Sequence, residues 1–154
     1  MERLFDAPPE VVFDAFVDPD AQGQLYADDE GDPSWVVESE LDLRLGGAWT
    51  IAFGKAGEEP FRETNVFEVV DRPRRLVYAS TLTESDGSSI ETRMEVTFQR
   101  ENRGTRMTIV HSGFPTPEKR DQFAGGWPSV LEALERVVAF RISEEEHGVK
   151  YPSP

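Results

Sequence analysis

The run from Trp127 to Ile142, WPSVLEALERVVAFRI, most constrains what this chain can become. Its apolar residues Trp127, Val130, Leu131, Leu134, Val137, Val138 and Ile142 recur in steps of three and four, which gathers them on one side of a helix. Glu132, Glu135, Arg136 and Arg141 fall largely on the other side. Such an apolar stripe must be buried against another layer. Everything before Gly113 reads as short strands, so that layer is a sheet. A helix lying across a curved antiparallel sheet either seals a core or roofs a pocket.

The strand signals are alternations. Trp35, Val37, Leu41, Leu43 and Leu45 share one parity, and Val36, Glu38, Glu40, Asp42 and Arg44 the other. Trp49, Ile51 and Phe53 continue the dry face. Phe61–Val70 reads as a strand whose alternation slips near Asn65–Phe67, which predicts a bulge. Thr92, Met94, Val96 and Phe98 oppose Glu91, Arg93, Glu95 and Gln99, and Met107, Ile109 and His111 share a face. This period of two belongs to a sheet with one dry face. Ahead of these strands, Glu2–Asp6 reads as a short strand. Pro8-Pro9 opens a helix over Glu10–Phe16, and a weaker helix follows over Asp20–Tyr26. Gly125-Gly126 and Trp127-Pro128 predict that the terminal helix bends or breaks there. The expectation is an α+β fold with a long C-terminal helix, in a single domain over residues 1–147 with a frayed tail over 148–154.

Composition narrows the partners. A net charge of −14 repels phosphate backbones and anionic membrane surfaces, so nucleic acid is not expected as a partner. Cysteine is absent, which removes disulfides, thiolate chemistry and Cys-based zinc sites. No apolar run approaches the roughly 18 residues of a membrane span, and no leader pattern opens the sequence, so membrane insertion is not expected and the expected location is the cytoplasm.

Several local patterns, in this order, resemble a known group. They are Asp6-Ala7-Pro8-Pro9-Glu10-Val11-Val12-Phe13-Asp14-Ala15-Phe16, Asp42-Leu43-Arg44-Leu45-Gly46-Gly47, Arg74-Arg75-Leu76-Val77-Tyr78 and Gly104-Thr105-Arg106-Met107-Thr108-Ile109. His111-Ser112-Gly113-Phe114 follows, leading to Gly126-Trp127 and Leu131 with Leu134. The chain resembles the START/birch-pollen-allergen-like helix-grip superfamily. Within it, it is most similar to the branch named after the activator of heat-shock protein 90 ATPase. The resemblance implies a seven-stranded antiparallel sheet wrapped around the terminal helix, two small helices between the first two strands, and a cavity between sheet and helix. Members bind lipids, polyketides, hormones or other hydrophobic molecules, and a minority catalyse cyclisation or hydrolysis there. The branch takes its name from a co-chaperone whose additional N-terminal domain contacts the chaperone; no counterpart of that domain is read here.

His111 is the most interesting titratable residue. It has inward parity at the end of the last strand, where an imidazole serves as acid, base or hydrogen-bond donor, or else fixes the loop before Phe114 through a backbone bond. His147 reads as exposed in the acidic tail. Two separated histidines give no metal-ligand spacing, and Asp28-Asp29-Glu30 with Asp32 lacks that of a calcium loop. No phosphate loop, dinucleotide fingerprint or nucleophile elbow is present, so neither metal nor cofactor is expected. Gly46-Gly47 and Gly125-Gly126 read as turn or kink glycines. Arg44 and Arg106 have outward parity and are expected to pair with surface carboxylates.

The expected ligand wall is Trp35, Trp49, Phe53, Tyr78, Met94, Phe98, Met107, Ile109, His111, Phe114, Phe123, Trp127, Val130 and Leu131. Large apolar walls with a few polar groups describe a small-molecule site. The leading expectation is therefore binding of a hydrophobic or amphipathic small molecule between sheet and helix. The alternatives are a small cyclase- or hydrolase-like enzyme using His111, and a chaperone-associated interaction module. A homodimer through edge strands or helices is a further expectation.

Overall fold

The computed structural model describes residues 1–27 and 30–146. The expected tail over 148–154, the expected exposure of His147 and the carboxylates of Asp28 and Asp29 lie outside the described residues. Seven strands form one antiparallel sheet: β1 (Glu2–Phe5), β2 (Trp35–Leu41), β3 (Ala48–Lys55), β4 (Phe61–Asp71), β5 (Arg75–Thr83), β6 (Ser89–Glu101) and β7 (Gly104–Ser112). Their spatial order is β1-β7-β6-β5-β4-β3-β2. The meander β2 to β7 thus runs in chain order, and β1 closes beside the last strand. Between β1 and β2 lie α1 (Pro9–Val17), a short 3₁₀ turn (Pro19–Ala21) and α2 (Gln22–Leu25); α3 (Pro117–Glu146) ends the described fold. This is the α+β helix-grip architecture that the resemblance implied.

Local chemistry accounts for these boundaries. Pro9 opens α1, where a missing N–H costs nothing, and Glu10 complements the helix N-terminus. Asp18 ends it, and its side chain accepts the Asp20 N–H at 2.9 Å to start the next turn. Buried Gln22 ties the two helices together, donating to the Phe16 and Asp18 carbonyls, each at 3.0 Å. Gly104 is required where β7 meets the β1–α1 corner: a Cβ there would sit 2.3 Å from the Phe5 carbonyl oxygen.

The core lies where α1 and the C-terminal half of α3 cover the concave sheet face. Val12, Phe13 and Phe16 of α1 are buried with Leu131, Leu134, Val137 and Val138 of α3. Phe13 meets Phe98 edge-on at 5.1 Å, and Phe16 meets Trp49 at 5.5 Å. Each such ring contributes about 1.5–3 kcal/mol by burial. Arg72 and Asp14 form a two-pronged pair at 2.7 Å, and Arg141 pairs with Asp18, so charged groups fasten α1 at its rim.

Three expectations need correction. Strand β2 ends at Leu41 rather than Leu45, and Leu45 is 74% exposed because the chain turns outward before Gly46-Gly47. The β4 bulge falls between Phe67 and Val69, later than expected, since the alternation holds through Phe67. Helix α3 runs unbroken across Gly125–Pro128 and begins at Pro117. Pro128 and Ala124 are both exposed, so the carbonyl that the proline leaves unbonded can be hydrated. The true start has a signature in the sequence: Thr116 accepts the Lys119 N–H at 3.1 Å, Pro117 follows it, and Glu118 stands in the first turn.

Candidate functional site

Between the sheet and the N-terminal half of α3 lies a cavity of about 450 Å³. Trp35, Phe53, Glu63 and Leu82 line it from the sheet, and Leu25, Tyr26 and Ala27 from α2 and the segment after it. His111 lines it from β7, and Phe123, Gly125, Gly126, Trp127, Ser129 and Val130 from α3. Gly125 and Gly126 are therefore wall residues within a helix rather than turn residues. A Cβ at either position would meet open space. Each glycine gives up about 1 kcal/mol of helix propensity relative to alanine while leaving the cavity wall bare.

Of the expected wall, Trp35, Phe53, His111, Phe123, Trp127 and Val130 line this cavity. Ile109 and Phe114, with His111 and Trp127, border a second and smaller one of about 300 Å³. Trp49, Tyr78, Met94, Phe98, Met107 and Leu131 do not line either; they are buried in the core. The reason is the position of α1, whose Phe13 and Phe16 fill the hollow over Phe98 and Trp49. Burial also pushes the Tyr78 hydroxyl well above its ordinary range, with the Glu63 charge adding to the effect.

His111 is held on both ring nitrogens. The Trp127 indole N–H donates to Nδ1 at 3.4 Å, and Nε2 lies 2.8 Å from the Thr92 hydroxyl. An indole only donates, so Nδ1 accepts and the proton of the neutral ring sits on Nε2, which donates to Thr92. Phe114, Phe123 and Trp127 surround the ring with centroids 4.5, 5.4 and 6.2 Å away. Desolvation there lowers its pKa from 6.5 to about 4. The partners are side chains, not the backbone group that the sequence suggested. His111 thereby joins β6 and β7 to α3.

Glu63 was not anticipated. On β4 it shares inward parity with Phe61, Asn65 and Phe67, while Arg62, Thr64, Val66 and Glu68 face solvent. That parity was the available signal. Its carboxylate accepts from the Tyr26 hydroxyl at 3.2 Å and from the buried Ser80 hydroxyl at 3.4 Å, and the Asn65 side chain bonds it too. Desolvation outweighs these bonds and raises its pKa above the ordinary 4.5. Glu63 is the only charged side chain lining the cavity among the described residues. Tyr26, raised well above its usual value by burial and by Glu63, stays a neutral donor. Its ring packs on Phe53 at 5.4 Å, and Trp35 meets Phe53 at 6.3 Å, so an aromatic wall adjoins the acid.

Arg44 and Arg106 take no part. Arg44 bonds Asp42 at 2.8 Å, and Arg106 bridges Glu101 and Glu2 on the outer face. Among the described residues no set of three His, Asp or Glu side chains is grouped to hold a metal ion, and no helix is long and apolar enough to cross a membrane.

The chain is similar in structure to the protein CV1439 of Chromobacterium violaceum, with a TM-score of 0.73 at 25% identity over 90% of this chain and 94% of that one. It is also similar to the protein Ms6760 of Mycobacterium smegmatis, with a TM-score of 0.70 at 20% identity over 88% and 86% of the two chains. An AHSA1-like protein from Aeromonas hydrophila aligns over 100% of this chain and 99% of its own at 23% identity, with a TM-score of 0.65. A search of curated proteins finds no match. The sequence pattern of the family described as activator of Hsp90 ATPase homolog 1-like protein matches residues 6–139, nearly the whole described fold, and the chain belongs to that family.

Proposed function

We propose that this protein binds a hydrophobic or amphipathic small molecule in the cavity roofed by the N-terminal half of α3. The observation that carries this reading is the cavity itself: about 450 Å³, walled by Tyr26, Trp35, Phe53, Phe123 and Trp127 and carrying one carboxylate. Its volume falls within the roughly 300–1,000 Å³ of small-molecule sites, and large apolar walls with a few placed polar groups are their usual chemistry. The glycine pair on α3 supports it, because two helix-weakening residues line the space and a Cβ at either would meet no neighbouring atom.

A neutral apolar dye, N-phenyl-1-naphthylamine, tests the reading. Saturable binding to the wild type is expected, with affinity lowered at least about tenfold in Gly126→Leu, which adds a bulky side chain to a wall residue while improving helix propensity. Binding that does not saturate, or that Gly126→Leu leaves unchanged, argues against it. Mass spectrometry of an extract from the purified protein then identifies any natural occupant. Catalysis by His111 is the weaker reading, because both ring nitrogens are engaged and the ring is neutral. A chaperone contact, suggested by the family's name, would use the outer sheet face or an edge strand such as β1 or β2, and a homodimer would pair through edge strands or helices.

A further inference from the structure

Resting on that reading, we infer that the ligand carries a cationic nitrogen, an alkylammonium or similar group, which is held by Glu63 against the aromatic wall of Tyr26, Trp35 and Phe53. Glu63 faces a cavity that supplies it no counter-charge: no Lys or Arg lines the space, and the facing titratable groups are the neutral Tyr26 and His111, with Tyr78 buried behind. Its partners are all neutral: the Asn65 side chain and two hydroxyls at 3.2 and 3.4 Å, long for O–H···O bonds, which centre near 2.7–2.8 Å. A desolvated carboxylate without a cation is costly, and an incoming ammonium relieves that cost with both charge and N–H donors. Tyr26, Trp35 and Phe53 line the same space, and aromatic rings attract cations. An anionic ligand meets repulsion from Glu63 and from a chain of net charge −14. A neutral alcohol satisfies one lone pair and leaves the charge uncompensated.

Three probes of one shape separate these cases: 1-naphthylmethylamine, 1-naphthalenemethanol and 1-naphthoic acid, titrated calorimetrically at neutral pH into the wild type and Glu63→Gln. The amine is expected to bind at least about tenfold more tightly than the alcohol or the acid, and the preference to shrink to within about twofold in Glu63→Gln. In the wild type alone, amine affinity is expected to weaken as pH falls through the raised pKa of Glu63, while alcohol affinity stays flat. Equal binding of amine and alcohol overturns the inference and leaves the cavity reading standing. A preference that survives in Glu63→Gln removes Glu63 from the recognition. No binding by any probe to the folded wild type overturns the cavity reading and this inference with it.

Discussion

The two halves of α3 belong to one unbroken helix and behave differently. From Leu131 to Val138 the helix buries Leu131, Ala133, Leu134, Val137 and Val138, with α1 and the sheet as partners. From Pro117 to Val130 it buries none, and Phe123, Trp127 and Val130 are only half covered. Under the first half, the phenylalanines of α1 fill the hollow. Under the second, the hollow is left as the cavity. The helix is an anchor at one end and a roof at the other, and what distinguishes the ends is whether a third element fills the space beneath.

The largest break in this contrast is Leu134→Ala, at a position fully enclosed by the core. It should cost about 3 kcal/mol or more, read by chemical denaturation, because the surrounding rings cannot collapse onto the gap. A loss near zero would mean that the anchor is no tighter than the roof.

Acid is expected to act on the roof through His111. Its folded pKa of about 4 lies below the ordinary 6.5, so the unfolded chain binds that proton more readily. The stability that it contributes is complete above pH 6.5 and is lost as pH falls through 4. After allowance for its partial exposure this amounts to about 1–2 kcal/mol. Glu63 works in the opposite sense: its raised pKa makes the folded state the better proton binder above pH 4.5, so stability declines as pH rises from there to the raised value. The difference between wild type and His111→Gln, measured from pH 7 to 4, isolates the histidine. Two parallel curves would show that folding leaves the His111 pKa at its ordinary value.

The smallest effect sharpens the comparison. Gly126→Ala should stabilise the protein by up to about 1 kcal/mol, since the new methyl group meets open space and the helix gains propensity. Its thermal midpoint should rise while dye affinity changes by less than about twofold. A fall in stability would mean that the roof backbone needs glycine for conformation rather than for room.

Much of this was legible in the residues. Alternation placed the strands and chose their dry faces, and the three-and-four spacing of Leu131, Leu134, Val137 and Val138 gave the anchoring stripe. It was less informative about depth. Parity puts Trp49 and Trp35 on the same face, yet Trp49 is enclosed by Phe16 and Phe67 while Trp35 borders the cavity. Charge drew no attention either: Glu63 was not singled out, although its parity with Phe61 and Phe67 pointed inward.

What the sequence determined by itself is the set of elements, their order and the side each residue faces, because these follow from local periodicity and turn chemistry. The tertiary structure decided which inward-facing residues are core and which are wall. That choice depends on where α1 comes to rest on the sheet and how far α3 stands from it, and both are set by contacts between segments far apart in the chain. The solitary acid acquires its meaning in the same way, since only packing removes water from Glu63 and leaves it without a cation.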